Sequence, residues 1–442
     1  MAEKILVLGL SKSGIAAAKL GINIGYDVYL TESKKDVNEL QVKELENLGI
    51  KVEYGSHSDK FIEGAIFAVT SPGIPPKSDI FKKLQSKNIP IISEIEFAYL
   101  NSDTPFVAIT GTNGKTTTTS LVSHLLSKNF DAPTCGNIGL PPSAIVEDEN
   151  DFLVCEISSF QAQMTEEFKP YISCWTNFTP DHIDWHEGLD NYFNAKAKIF
   201  LGKQAPNFAI LNAKDEKLLE FSKKCKKSKV FLFDKEDYPN SAFIRDNAIW
   251  YKEDNNEEKI IELKDSPLVG HHNYQNIMCG IICAKLCGME NEDIFEGIKT
   301  FRAPEHRLEK VREMNGITFY NDSKATNPEA SIVAIDSFND LDVALILGGR
   351  DKNTDLSQMC DSINKHIKTV ILIGEATERF EENLKKNGFD NIIKEETLEN
   401  AIDKAIELKP DVVLLSPACA SFDMFKSYEH RGEVFKEYVL SK

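Results

Sequence analysis

The chain has 442 residues, too many for one ordinary hydrophobic core, so two or three domains are expected. Its 51 basic and 69 acidic residues leave a formal charge of -18, which repels a nucleic-acid backbone and excludes nucleic acid as the expected partner. No apolar segment reaches bilayer length, and "MAEKILVLGLSKSG" runs from a strand-like segment into a glycine turn rather than into a signal-peptide core, so a cytoplasmic chain without membrane insertion is expected.

Residues 1–94 alternate short apolar runs with helical stretches, from "KILVLGL" and "GIAAAKLGINIG" to "IPIISE". Strands alternating with helices predict a parallel sheet with helices on its faces. "GLSKSG", Gly9 to Gly14, resembles a dinucleotide fingerprint, but Ser11 stands at the middle glycine. A plain strand-to-helix turn and a site for part of a nucleotide, such as a uridine, both fit it.

A second unit, residues 95–301, opens with "FVAITGTNGKTTTTSLVSHLL" and continues through "DFLVCEISSF" and "YISCWTNFTPDHIDW". After the strand, Gly111 and Gly114 let the backbone turn its N–H groups into a common space, and the next helix adds its positive N-terminus. Lys115 can reach terminal phosphates, and Thr116 stands where a hydroxyl coordinates magnesium. The loop is shorter than the usual P-loop, with two residues instead of four between Gly111 and the Gly114-Lys115 pair. The lysine-rich stretch "SKKCKKSKVFLFDKEDYPNSAF" reads as exposed surface. Nine cysteines form no Cys-x-x-Cys pair, and Cys279, Cys283 and Cys287, at helical spacing, read as small buried thiols rather than a metal stripe.

A third unit, residues 302–442, carries "VALILGGRDKN", "TVILIGE" and "DVVLLSPACASFDMF", each an apolar strand ending in small polar residues. Ligands of open α/β sheets collect at the carboxyl ends of strands, where most polar motifs of this chain fall. The three units are expected to face one shared cleft.

In order and spacing, "GTNGKT", "GNIG" (136–139), "EISSFQ" (156–161), "NFTPDHIDWH" (177–186), "YFNAKAKIF" (192–200), "HHNYQN" (271–276), "PEHRLE" (304–309), "NDSKATNP" (321–328), "LILGGRDKN" (345–353) and "LSPACASFDMFKSYEHRG" (415–432) resemble the Mur ligases over almost the whole chain. "NDSKATN" and "SPACASFD" resemble the branch that adds D-glutamate to UDP-N-acetylmuramoyl-L-alanine. The resemblance implies three α/β domains: a Rossmann-like UDP-sugar-binding domain (1–94), a central P-loop-type ATPase domain (95–301) and a Rossmann-like C-terminal amino-acid-binding domain (302–442). It implies an ATP-dependent ligase of peptidoglycan precursor synthesis working through an acyl phosphate, as a monomer.

By the same resemblance, Gly111, Thr112, Asn113, Gly114, Lys115, Thr116, Thr117, Asn276, Arg307 and Asp322 meet ATP. Thr116, Glu156, His182 and Lys196, the last as a carbamate, hold two magnesium ions, and Lys115, His182 and Lys196 are catalytic; Lys198 is the fallback for the carbamate. Lys12, Ser13, Ser71, Gly73, Asn137 and His182 meet the UDP-sugar. Lys324, Thr326, Lys352, Ser421 and Tyr428 meet D-glutamate, with Tyr428 standing where the family often has phenylalanine. "TES" at 31–33 departs from the family's acidic-then-hydroxyl pattern after that strand. Another ATP-dependent amide ligase is the same-class rival, and "SKAT" argues against it. A nicotinamide oxidoreductase built on "GLSKSG" leaves the phosphate loop unexplained, and a nucleotide-binding switch would hydrolyse ATP independently of any acyl acceptor.

Overall fold

The computed structural model describes residues 2–338, 341–351 and 354–442. They form two compact units, residues 1–265 with 275–299, and residues 266–274 with 300–442.

The first unit contains two sheets. β1 (Lys4–Leu8), β2 (Asp27–Glu32), β3 (Lys51–Tyr54), β4 (Ala68–Thr70) and β5 (Ile91–Ser93) form a wholly parallel sheet in the order β3-β2-β1-β4-β5. Ile5 to Leu8 are fully buried because helices cover both faces of such a sheet. The strand order reverses between β1 and β4, so the loops after Leu8 and Thr70 diverge and leave a crevice at their carboxyl ends.

The second sheet comprises β6 (Phe106–Thr110), β7 (Thr134–Gly136), β8 (Leu153–Glu156), β9 (Ile172–Trp175), β10 (Phe208–Asn212), β11 (Lys229–Phe233), β12 (Ser241–Arg245), β13 (Ala248–Glu253) and β14 (Asn256–Glu262). Its order is β14-β13-β12-β11-β10-β9-β6-β8-β7. β6 lies between β9 and β8, so "GTNGKT", Glu156 and Thr176 leave the sheet side by side. The β12–β14 ribbon is antiparallel, which strand–helix alternation does not predict. Its signals are two Asx pairs, Asp246-Asn247 (φ 51° and 55°) and Asp254-Asn255 (φ 49° and 68°), each supplying the paired positive φ of a tight hairpin turn. The lysine-rich stretch is not simply surface: Phe231, Leu232 and Phe233 are buried within β11, and the exposed lysines only precede it.

The second unit holds β15 (Glu309–Met314), β16 (Ile317–Asn321), β17 (Val343–Gly348), β18 (Thr369–Ile373), β19 (Ile392–Lys394) and β20 (Val412–Leu415), ordered β15-β16-β20-β17-β18-β19. Only the β15–β16 pair is antiparallel. Asp322 and Ser416 follow adjacent strands at the carboxyl edge. All nine cysteines are free and buried, as read for the helical three. Among the described residues no helix is long and apolar enough to cross a membrane.

Candidate active site

In the first unit, "GLSKSG" joins β1 to the helix Lys12–Asn23. Gly14 is required for contact: a Cβ there would stand 2.0 Å from the Gly9 carbonyl. Ser11 caps the helix by accepting from Gly14 N (3.3 Å), and its hydroxyl lies 2.7 Å from Ser71 Oγ, bridging the loops after β1 and β4. Lys12, Ser13, Ser71, Gly73 and Asn137 line one cleft of about 910 Å³. The structure therefore brings together five of the six residues expected at the nucleotide sugar; His182 is not in that lining. Glu32, Ser33, His57 and Gln161 also line it and carried no assignment. Glu32 accepts from Leu10 N (3.0 Å) and Lys34 N (2.9 Å), so "TES" places an acid followed by a hydroxyl in the cleft after all.

The phosphate loop is clasped from three sides. Gly111 (φ 151°) and Gly114 (φ 79°) leave no room for a side chain, since added Cβ atoms would lie 1.9 Å from Thr176 Oγ1 and 2.6 Å from Asn276 Oδ1. Thr176 Oγ1 donates to the Asn113 carbonyl (2.6 Å), and Asn113 N donates to Asn177 Oδ1 (2.8 Å). Thr112 Oγ1 lies 3.1 Å from Tyr192 OH and donates to the Thr179 carbonyl (3.0 Å). Asn276 Oδ1 accepts from Thr118 Oγ1 at 3.1 Å, so this expected ATP contact also shapes the loop. Lys115 and Thr116 begin the helix Lys115–Leu126, whose N-cap, Gly114, makes no side-chain cap bond; Thr117 is buried in its first turn. Lys115 Nζ donates to the carbonyls of Gly111 (3.0 Å) and Thr112 (2.8 Å).

Glu156 ends β8 with its carboxylate buried. Oε1 accepts from Asn137 Nδ2 (2.8 Å), whereas Oε2 has no hydrogen-bond partner among the described residues. A buried carboxylate oxygen left open in this way fits a magnesium ligand, because desolvated anionic oxygen is costly without a cation.

Lys196 is 1% exposed, not a surface lysine. On the helix Leu189–Ala197, Tyr192, Ala195 and Lys196 share one buried face, and neighbouring rings fix its rotation: Phe193 packs on Trp175 (4.8 Å between centroids) and Tyr192 on Phe178 (5.3 Å). Lys196 Nζ donates to the Gly111 carbonyl (2.7 Å) and to Thr110 Oγ1 (3.4 Å). Burial and then the Lys115 charge hold this amine well below the ordinary lysine range, against the opposing pull of Asp181 and Glu156. Lys198 instead donates to the Gln163 carbonyl at 3.0 Å.

His182 has a left-handed backbone (φ 51°), with Nε2 3.3 Å from Asp181 Oδ2 and its ring 4.9 Å from Phe160. The same Phe160 stacks on the buried His186, whose Nε2 lies 2.9 Å from Ser159 Oγ. His186 was legible only as part of "DHIDWH", with no role attached.

In the second unit, Asp322 accepts from Ser416 Oγ (2.7 Å) and Leu308 N (3.2 Å), which ties down the turn carrying Arg307. Burial lifts its carboxyl to about 7. Tyr428, at the start of the helix Tyr428–Ser441, has its ring 5.5 Å from Lys324 Nζ, giving the ring a cation partner. Thr326 belongs to the same segment as Lys324, while Lys352 lies outside the described residues. Ser421 Oγ is buried without a hydrogen-bond partner among the described residues. Arg431, a member of "EHRG" to which the sequence attaches no role, is 1% exposed and donates from Nε to Ser323 Oγ (2.9 Å) and from Nη2 to the carbonyls of Ser323 (2.8 Å) and Cys419 (3.1 Å). It thereby links "SKAT" to "SPACAS".

Two family descriptions match the chain: the Mur ligase middle domain over residues 109–284, and the Mur ligase, glutamate ligase domain over residues 306–419. The chain is 41% identical to a UDP-N-acetylmuramoylalanine–D-glutamate ligase of Thermoanaerobacter pseudethanolicus, covering 99% of this chain and 98% of that protein. It is 39% identical to the protein of the same name in Koribacter versatilis, over 99% and 97%. Among solved structures, MurF from Acinetobacter baumannii shares the fold with a TM-score of 0.63 at 17% identity, over 100% of this chain and 94% of that one. With its phosphate loop, open carboxylate and buried lysine arranged as described, and with relatives alike over almost its full length, the chain belongs to the Mur ligase family.

Proposed function

We propose that the protein is an ATP-dependent ligase that joins D-glutamate to UDP-N-acetylmuramoyl-L-alanine, releasing ADP and phosphate in the making of a peptidoglycan precursor. The observation that carries the reading is the phosphate loop with a buried, singly open Glu156 beside it. The full-length likeness to ligases of that name supports the substrates.

Amide formation from a carboxylate needs a better leaving group than oxide. The alanyl carboxylate takes the γ-phosphoryl group of ATP, giving an acyl phosphate and ADP. The D-glutamate amine then attacks that carbonyl, and the tetrahedral intermediate expels phosphate. Negative charge moves between oxygens in both steps, so fixed cations and N–H groups stabilise the transition states. Lys115 exchanges the loop carbonyls for β- and γ-phosphate oxygens, while the backbone of residues 111–114 with Thr116 and Thr117 cradles the phosphates. Arg307, Asn276 and Asp322 complete the nucleotide site, Asp322 toward the ribose.

Thr116, Glu156, His182 and carbamylated Lys196 would hold two magnesium ions, which supply neutralising charge at the phosphoryl oxygens. Carbon dioxide adds only to an unprotonated amine, and burial depresses the basicity of Lys196 in that direction. The product is an anionic oxygen ligand where an ammonium would repel the metal. Lys12, Ser13, Ser71, Gly73 and Asn137 bind the nucleotide sugar, with His182 toward its reacting end. Lys324, Thr326, Lys352, Ser421 and Tyr428 take the two carboxylates of D-glutamate. We assign these tasks to domains bounded at residues 94 and 301, in a monomeric, cytoplasmic enzyme.

The test is phosphate release from ATP with magnesium and UDP-N-acetylmuramoyl-L-alanine, comparing D-glutamate, L-glutamate, D-alanine, meso-diaminopimelate and no amino acid. Release that needs the nucleotide sugar and only D-glutamate, with the amide seen by mass, is expected. Release with another amine moves the protein to a neighbouring branch, and release independent of the sugar overturns the substrate assignment. Lys196→Ala should lose activity and regain part of it with chloride or formate; full activity without additive would sink the carbamate.

A further inference from the structure

Three cysteines that take no part in this chemistry converge inside the first unit. Cys174 comes from β9, while Cys279 and Cys283 stand one turn apart on the helix His271–Leu286, and all three are fully buried. The Cys174 and Cys283 sulfurs are 3.2 Å apart, and all three sulfurs lie within 4.8 Å of one another. Among the described residues this is the one group of three or more His, Cys, Asp or Glu ligand atoms so close together. Spacing along the helix points to Cys287 as the third member; the tertiary structure supplies Cys174 instead.

We propose that Cys174, Cys279 and Cys283 form a three-sulfur site for a soft monovalent cation of the copper(I) class. Metal–sulfur bonds of about 2.3 Å put three sulfurs about 4 Å apart in a trigonal plane, so small side-chain rotations suffice. Zinc favours a fourth ligand, and among the described residues no further His, Cys, Asp or Glu joins these three fully buried cysteines. Thiolate sulfur is a soft donor of the kind that selects copper(I). Each copper–sulfur bond forms as its thiol proton leaves to solvent, because the thiolate is the metal-ligating form of cysteine. No electron is transferred.

The site adjoins the anchors of the phosphate loop. Two residues beyond Cys174, Thr176 donates to the Asn113 carbonyl at 2.6 Å; three residues before Cys279, Asn276 accepts from Thr118 at 3.1 Å. Occupancy is therefore expected to raise the KM for ATP, a consequence that rests on the ligase reading, whereas metal binding does not.

The full-length chain, reduced and kept anaerobic, is titrated with copper(I) held by the coloured chelator bicinchoninate. One ion per chain is expected to transfer, and X-ray absorption of the loaded wild type should report three sulfur ligands. No transfer, or nitrogen or oxygen ligation, overturns the proposal without reference to any variant. Cys174→Ala, Cys279→Ala and Cys283→Ala should each weaken binding at least tenfold while retaining the wild-type circular dichroism, and Cys225→Ala should not. Equal weakening by Cys225→Ala would mean unspecific thiol capture and would also overturn it. An unchanged KM for ATP in the loaded enzyme would sever the coupling to the loop.

Discussion

Two glycine loops in the first unit share one local plan and differ in what occupies the helix end. "GLSKSG" and "GTNGKT" each follow a buried parallel strand, and each opens a helix of 12 residues. In the first, the Ser11 hydroxyl satisfies the Gly14 N–H and reaches across to Ser71. In the second, the N-cap is Gly114 in the left-handed conformation, with no side-chain cap bond. A helix N-terminus attracts an anion only to the extent that its own cap leaves the N–H groups and the positive end of the dipole available. In the proposed function the second loop takes the phosphates, while the first borders a cleft lined by side chains such as Lys12, Ser13 and Ser71.

The largest effect that would break this contrast is at Lys115. Lys115→Ala should cost on the order of 10³-fold in turnover, because it removes a fixed cation from a phosphoryl transfer, while the melting temperature stays near wild type. Loss of the fold instead would make Lys115 a structural residue through its bonds to Gly111 and Thr112. Gly114→Ser tests the cap without a side chain directly. The residue would carry the left-handed backbone penalty of roughly 1–2 kcal/mol, and its Cβ would meet Asn276 Oδ1 at 2.6 Å. A rise of at least about tenfold in the KM for ATP is expected, with little change for the nucleotide sugar. An unaltered KM for ATP would refute the role given to the glycine cap.

The reciprocal change is smaller. Ser11→Ala should lower stability by about 1 kcal/mol through the lost cap, and Ser11→Gly by only a few tenths, measured by urea unfolding. If Ser11→Gly tightened nucleotide binding at the first loop, the cap would be what closes that helix end.

A last change separates stability from both loops. Glu94 is buried and accepts from Ser143 N at 2.7 Å, and burial lifts its carboxyl to about 7 from an ordinary 4.5. Its protonated form suits the fold, so its contribution is complete below about pH 4 and is lost as pH rises through about 7. Glu94→Gln should flatten the decline in unfolding free energy between pH 4.5 and 7.5 without moving either KM; an unchanged pH profile would remove Glu94 as its source.

The sheet-bearing segments were legible because buried parallel strands such as Ile5–Leu8, Val107–Ile109 and Ala344–Leu347 read as continuous apolar runs. The antiparallel ribbon was not, since alternation of strand and helix says nothing about two Asx turns in a charged stretch. Within the candidate site, Lys115 and Thr116 were readable from spacing after a strand and Glu156 from the family resemblance, whereas His186 and Arg431 looked like ordinary members of polar motifs. Arg431 became visible only when its guanidinium was seen joining Ser323 to Cys419.

Sequence by itself determined the order of motifs, the α/β class and the family, because glycine positions, strand composition and motif spacing are local properties of the chain. Tertiary structure decided which groups are dry and which share a space. It made Lys196 a buried amine on the Gly111 carbonyl, left one Glu156 oxygen open, and set Cys174 beside Cys279 and Cys283. Burial and cross-strand neighbours arise from packing between segments far apart in the chain, so desolvation, which changes both basicity and metal affinity, is written only in the folded molecule.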